Sequence, residues 1–153
     1  MKSEEYFLNV EQLFRQAIFE VMEKMYFIFL EPISYEEARE SEWHAVEVRF
    51  SGTWKGKIEV YFSLPLVTAM MENALGVKDA EMDEQLQEDT LKECVNMIAG
   101  NFLQKFEPEK AYRLTIPQYW GRKGPREGDG GIMIALVADG APMLAGLAIS
   151  PAK

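Results

Sequence analysis

The sequence predicts an α+β fold, with one sheet carrying long helices packed on it, built as a pseudo-duplication of a helix-and-hairpin unit. Two long stretches repeat apolar residues at helical spacing, and several short runs alternate apolar with polar residues, the period of a half-buried strand. They follow one another as helix, strand, strand, helix, then helix, strand, strand, strand. The chain has 153 residues, which fits a single domain spanning 1–153 and suffices to bury a core without staples. Its 48% hydrophobic and 12% aromatic content agrees with that class.

The first helix is expected over Val10 to Leu30, where Val10, Leu13, Phe14, Ala17, Ile18, Val21, Met25, Ile28 and Phe29 form one apolar side. Glu11, Gln12, Gln16, Glu20 and Glu23 fill the other, and Pro32 closes it. Residues Glu31 to Glu42 are polar and acidic and read as a loop. Ala45 to Phe50 alternates through Val46, Val48 and Phe50, a half-buried strand. Ser51 to Gly56 reads as the turn to a second strand, Lys57 to Ser63. A phosphate loop would need Gly-Lys-Ser/Thr opening a helix, and here a strand follows.

Pro65 suits the first turn of a helix that runs to Leu75 and stops at Gly76. An acidic linker, Lys78 to Asp83, leads to a long central helix, Glu84 to Phe106, with Asp83 as its N-cap and Pro108 beyond its end. Ala111 to Trp120 reads as a strand interrupted at Pro117, an edge or bulged strand. Gly121 to Gly131 is a loop holding Arg122, Lys123 and Arg126, cations that could meet an anion but fit a solvated hairpin loop better. Ile132 to Ala138 is continuously apolar, as for a strand covered on both faces. Asp139-Gly140 is a hairpin turn, and Met143 to Ile149 is the last strand, ended by Pro151. If the run Ala141 to Ile149 has an uncovered edge, it would favour strand pairing between chains.

The net charge is −9, with 25 acidic against 16 basic residues, which excludes a general nucleic-acid binder and suits a partner with a basic docking patch. The single cysteine, Cys94, falls on the apolar flank of the central helix and reads as a buried, inert thiol. The single histidine, His44, has no second histidine or cysteine pair with which to hold zinc, and no metal site is expected. The N-terminal stretch lacks an apolar signal core, and no segment is long and apolar enough to span a membrane, so a cytoplasmic protein is expected.

The central helix is where chemistry can be read. Leu91, Cys94, Val95, Ile98, Phe102 and Phe106 make its core face. Asp89, Glu93, Asn96 and Gly100 stack on the opposite face, where residues three or four apart are neighbours. Glu93 and Asn96 should therefore sit side by side with little bulk near them. A mid-helix glycine costs about 1 kcal/mol relative to alanine, which is tolerable where another molecule must approach closely. A carboxylate and a carboxamide displayed beside a glycine suit a docking and chemistry surface.

Three pieces together resemble the CheC and CheX group of chemotaxis phosphatases: Phe50-Ser51-Gly52-Thr53-Trp54-Lys55-Gly56, the helix ending Ala74-Leu75-Gly76, and Asp89 to Asn101. The last piece is similar to the family's Asp-x-x-x-Glu-x-x-Asn-x-x-x-Gly-Asn signature. CheC-type members carry two such helices, and the first helix here lacks the pattern, so the chain resembles CheX, with one site. The resemblance implies a homodimer that removes phosphate from the phospho-aspartate of a CheY-type response regulator. An aspartyl phosphate is already activated, so its hydrolysis mainly needs an in-line water and charge neutralisation. A carboxamide both donates to and accepts from water, which fits Asn96 to orienting the attacking water. Such positioning lowers a barrier by at most about 7–11 kcal/mol. Glu93, as the resemblance implies, pairs with the receiver's active-site lysine. Asp89 shapes the local field and Gly100 admits the receiver. No cofactor is expected on this chain, and Mg2+ belongs to the receiver. The same fold resembles the middle domain of flagellar switch proteins, which offers a non-catalytic docking module as the alternative.

Overall fold

The computed structural model describes residues 2–39, 41–78, 83–125 and 131–152. Its elements in order are α1 (Lys2–Tyr26), β1 (Glu31–Pro32), α2 (Tyr35–Ala38), β2 (Trp43–Ser51), β3 (Trp54–Ser63), α3 (Leu64–Leu75), α4 (Glu84–Phe106), β4 (Arg113–Leu114), β5 (Gln118–Gly121), β6 (Ile132–Ala138) and β7 (Ala141–Pro151). The strands form one seven-stranded sheet in the order β1-β6-β7-β3-β2-β4, with β5 also on β2. Every pairing is antiparallel.

That order reads as a palindrome. The hairpins β2–β3 and β6–β7 meet through β3 and β7 at the centre. Each half then lends its short strand to the other's outer edge, β1 to β6 and β4 to β2. The duplication expected from the element order is thus built into the sheet. It also places β7 inside: its residues pair with β6 on one side and β3 on the other. The condition for strand pairing between chains at Ala141 to Ile149, an uncovered edge, is therefore not met, since β7 pairs along both sides within the chain.

On one face, α1, α3 and α4 cover Val46, Val48, Phe50, Ile58, Val60, Phe62, Ile134, Leu136, Met143, Ala145 and Leu147. Helices α1 and α4 run antiparallel: Met22 meets Cys94 near one end, Phe14 packs edge-on against Phe102 at 5.8 Å, and Tyr6 reaches Phe106 at the other. Successive strand side chains point to opposite faces, and the other face carries a smaller cluster of Trp43, Ala45, Tyr61 and Leu144, capped by Ala38 of α2. Glu31 to Glu42 was expected as a loop; its short β1 and α2 serve to extend the sheet and cover this cluster. Strand β6 is fully buried only at Ile134 and Leu136, while Met133 is 40% exposed, so it is not covered on both faces as its apolar run suggested.

The first helix begins before Val10 and stops at Tyr26, short of Leu30. Phe27 turns left-handed (φ 56), and the N–H groups of Phe27 and Ile28 close back on Glu23 and Met22. Beyond it Ile28 and Leu30 are buried while Phe27 and Phe29 face out, the alternation of an extended chain. Four apolar residues in a row fit either period, and the turn at Phe27 decided between them.

The turn expected over Ser51 to Gly56 is shorter, because β3 already begins at Trp54. Gly56 lies within the sheet, where a Cβ would stand 2.0 Å from the carbonyl oxygen of Ala148 on β7. Trp54 stacks on Tyr6 at 5.1 Å and meets Phe106 edge-on at 5.7 Å, tying the hairpin tip to the ends of α1 and α4. Other local signals held. Pro65 opens α3 and Gly76 (φ 66) closes it, Asp83 caps α4, and Asp139 and Gly140 both turn left-handed (φ 49 and 78) between β6 and β7. The linker 79–82 and the loop residues 126–130, Arg126 included, lie outside the described residues.

Candidate functional site

Helix α4 spans Glu84–Phe106 as its sequence pattern predicts, because its apolar stripe and cap agree. The Asp83 carboxylate accepts from the Leu86 N–H at 2.7 Å, satisfying one of the orphan donors of the first turn. Leu91, Cys94, Val95, Ile98, Ala99, Phe102 and Leu103 are buried, and Phe106 is half-buried against Trp54. Asp89, Glu93, Asn96 and Gly100 are all exposed on the outer face.

Asp89 accepts from the Gln85 amide one turn earlier at 2.9 Å. Glu93 and Asn96 make no side-chain hydrogen bond or ion pair with any described residue. The neighbouring cation, Lys92, is held by Glu88 at 2.8 Å and not by Glu93. Beneath it lies a buried pair, Tyr26 and Cys94. Burial first, and the Glu93 charge as a lesser cause, raise the Tyr26 hydroxyl well above the usual phenol range. Burial likewise pushes the Cys94 thiol up to about 12, and its Sγ donates to the Met22 sulfur at 3.8 Å. This thiol is a packing group, since nucleophilic cysteines need the thiolate.

A Cβ built on Gly100 would meet nothing within 4 Å. No neighbour among the described residues requires a glycine there, unlike at Gly56. The next residue of the signature, Asn101, turns inward. Its amide donates to Glu20 of α1 at 3.1 Å, and Lys105 reaches the other oxygen of the same carboxylate at 2.8 Å. These contacts hold the Glu20 carboxyl below the usual carboxylate range. The signature thus divides between an outward set and an inward anchor that sets the rotation of α4 on α1.

One wall of the site was not legible in the sequence. Lys92, Glu93 and Asn96 share a shallow groove with Leu114, Thr115, Ile116 and Pro117. Ala111 to Trp120, expected as one interrupted strand, forms two short strands on the β2 edge. At the break, the Thr115 N–H donates to the Arg49 carbonyl at 2.9 Å and the Arg49 N–H donates to the Thr115 hydroxyl at 2.9 Å. Pro117 signalled an interruption, but only the sheet order shows that it borders α4.

His44 is buried, with its Nδ1 2.6 Å from the Tyr119 hydroxyl. Among the described residues no group of three His, Cys, Asp or Glu side chains could hold a metal ion. No helix among them is long and apolar enough to cross a membrane. Lys123, one of the loop cations, lies 5.5 Å from the centroid of the Trp120 ring.

A family model described as "Chemotaxis phosphatase CheX" matches residues 45–134, which include most of β2 and the whole of β3, α3 and α4. A comparison with curated proteins found no match. Among solved structures, the chain is similar to the chemotaxis protein CheX of Vibrio vulnificus, at 17% identity and TM-score 0.76 over 92% of this chain and 96% of that one. It is similar to CheX in the CheX–CheY–BeF3–Mg2+ complex of Borrelia burgdorferi, at 18% identity and TM-score 0.65 over 90% and 96%. It is also similar to FliY of Thermotoga maritima, at 10% identity and TM-score 0.59 over 99% and 90%. At these identities the likenesses establish the fold.

Proposed function

The chain belongs to the CheX family of chemotaxis phosphatases, and from that membership we propose that it hydrolyses the phospho-aspartate of a CheY-type response regulator. One observation carries the reading: Glu93 and Asn96 are exposed one turn apart on α4, line one shallow groove, and make no side-chain hydrogen bond or ion pair with any described residue. Their neighbours Glu88 and Lys92, by contrast, pair with each other one turn apart on the same helix.

In this reading α4 enters the receiver's active site with its outer face. The Asn96 carboxamide accepts from and donates to a water, holding it in line with the phosphorus–oxygen bond to the aspartate. The bond to that oxygen breaks, water supplies the new oxygen, and inorganic phosphate leaves. The Glu93 carboxylate pairs with the receiver's lysine and so fixes where Asn96 sits. Gly100 leaves room for the receiver's backbone, and Asp89 adds negative charge near the docking end. Mg2+ is a ligand of the receiver and neutralises the phosphoryl charge there. The working form is a homodimer, which a sedimentation measurement would test.

The experiment is loss of phosphate from a panel of phosphorylated CheY-type receivers, with the wild type and with Asn96→Ala. Acceleration by the wild type, with binding kept but turnover lost in Asn96→Ala, is the expected result. A receiver that binds equally well to both proteins and keeps its phosphate with both would replace the phosphatase with a docking module.

A further inference from the structure

Ile116 is 88% exposed, the most exposed large apolar side chain among the described residues. Single exposed apolar residues are ordinary, so exposure alone says nothing. Its place and its rigidity are what matter. It sits on the wall that faces Glu93 and Asn96 across the groove. Thr115 is fixed to Arg49 by two hydrogen bonds, Leu114 pairs with Phe50, and Gln118 pairs with Glu47. Pro117 restricts the backbone between them. The segment is thus clamped to β2 on both sides, and Ile116 is held out from the sheet where no described residue covers it.

A side chain pre-set in this way loses little freedom when it is covered by a partner. It contributes almost no burial to the fold, so its apolar surface is available to an interface. The groove offers a charge, an amide and an apolar knob side by side, the mixture of polar orienting groups and apolar anchor that specific interfaces use.

We propose that Ile116 is a binding residue for the receiver, seating in an apolar recess beside the receiver's phosphorylated aspartate while Glu93 and Asn96 engage the site itself. The proposal rests on the phosphatase reading for the identity of its partner. It adds a specificity element outside α4: receivers with a polar or filled surface at that recess are poor substrates.

The test compares wild type, Ile116→Ser and Ile116→Val on CheY-type receivers phosphorylated with acetyl phosphate, and measures binding of the same receivers activated with beryllofluoride. Ile116→Ser should raise KM, and weaken binding of the beryllofluoride form, by about tenfold, as for truncation of an interface anchor. Its kcat should hold and its thermal midpoint should not move. Ile116→Val should stay close to wild type. If the wild type is active and Ile116→Ser keeps its KM and its affinity, the proposal is overturned and the phosphatase reading stands. If the wild type binds a receiver without dephosphorylating it and Ile116→Ser weakens that binding, the docking role stands and the phosphatase reading falls. If the wild type neither binds nor dephosphorylates any receiver, both fall together.

Discussion

The Asn101 amide donates to Glu20 across the α1–α4 contact at 3.1 Å, five residues beyond the outward-facing Asn96. The two asparagines therefore face opposite ways on α4, one anchoring the helix to α1 and the other exposed to solvent. Replacing Glu20 by Ala strips partners from both Asn101 and Lys105. We expect a loss of about 1–2 kcal/mol, read by urea unfolding. The Glu20 carboxyl is held low by Lys105 and Asn101, so its contribution is present above the ordinary value of 4.5 and is lost as pH falls below it. Stability of Glu20→Ala should consequently depend less on pH in that acidic range than that of the wild type.

Glu93→Gln keeps the shape of the side chain and removes its charge. Since Glu93 has no hydrogen-bond or ion-pair partner among the described residues, the variant's fold should be untouched and its unfolding midpoint unchanged. The KM for a phosphorylated receiver should rise, and its dependence on ionic strength should flatten, because the screened charge pair is gone. A KM with unaltered salt dependence would remove the role assigned to Glu93.

Gly100→Ala separates folding from function. The site is helical and open, so alanine should stabilise the protein by about 0.5–1 kcal/mol through its better helix propensity. The same methyl group would stand where the receiver approaches, and receiver affinity should fall. A variant that is both more stable and fully active would show that Gly100 does not serve docking.

His44 is buried against Tyr119, and burial foremost, with the Arg122 charge, depresses its pKa, while Glu84 opposes them. The unfolded chain takes up a proton near 6.5, and the folded chain resists it to lower pH. Proton uptake therefore favours unfolding as pH falls below 6.5, and the stability that neutral His44 contributes above that value is progressively lost. Between pH 7.5 and 5.5 the thermal midpoint of the wild type should drop more than that of His44→Gln.

Local signals with a single physical meaning carried from sequence to structure. The limits of α4 follow from one apolar stripe, an Asp83 cap and the Pro108 stop. The Asp139-Gly140 turn follows from two left-handed residues, and the exposure of Asp89, Glu93, Asn96 and Gly100 from helical spacing. Where one pattern fitted two periods, the sequence misled: Phe27 to Leu30 continues the helical spacing yet runs extended.

The sequence by itself determined the class of fold, from the order of its elements, and the limits and outward face of α4, from spacings within one element. Only the tertiary structure decided that β7 lies at the centre of the sheet, that Asn101 belongs to α1, and that Ile116 stands across a groove from Asn96. Those facts depend on which strand lies beside which. In a pseudo-duplicated chain that exchanges its edge strands, pairing is set by closing the whole sheet and not by any local run of residues.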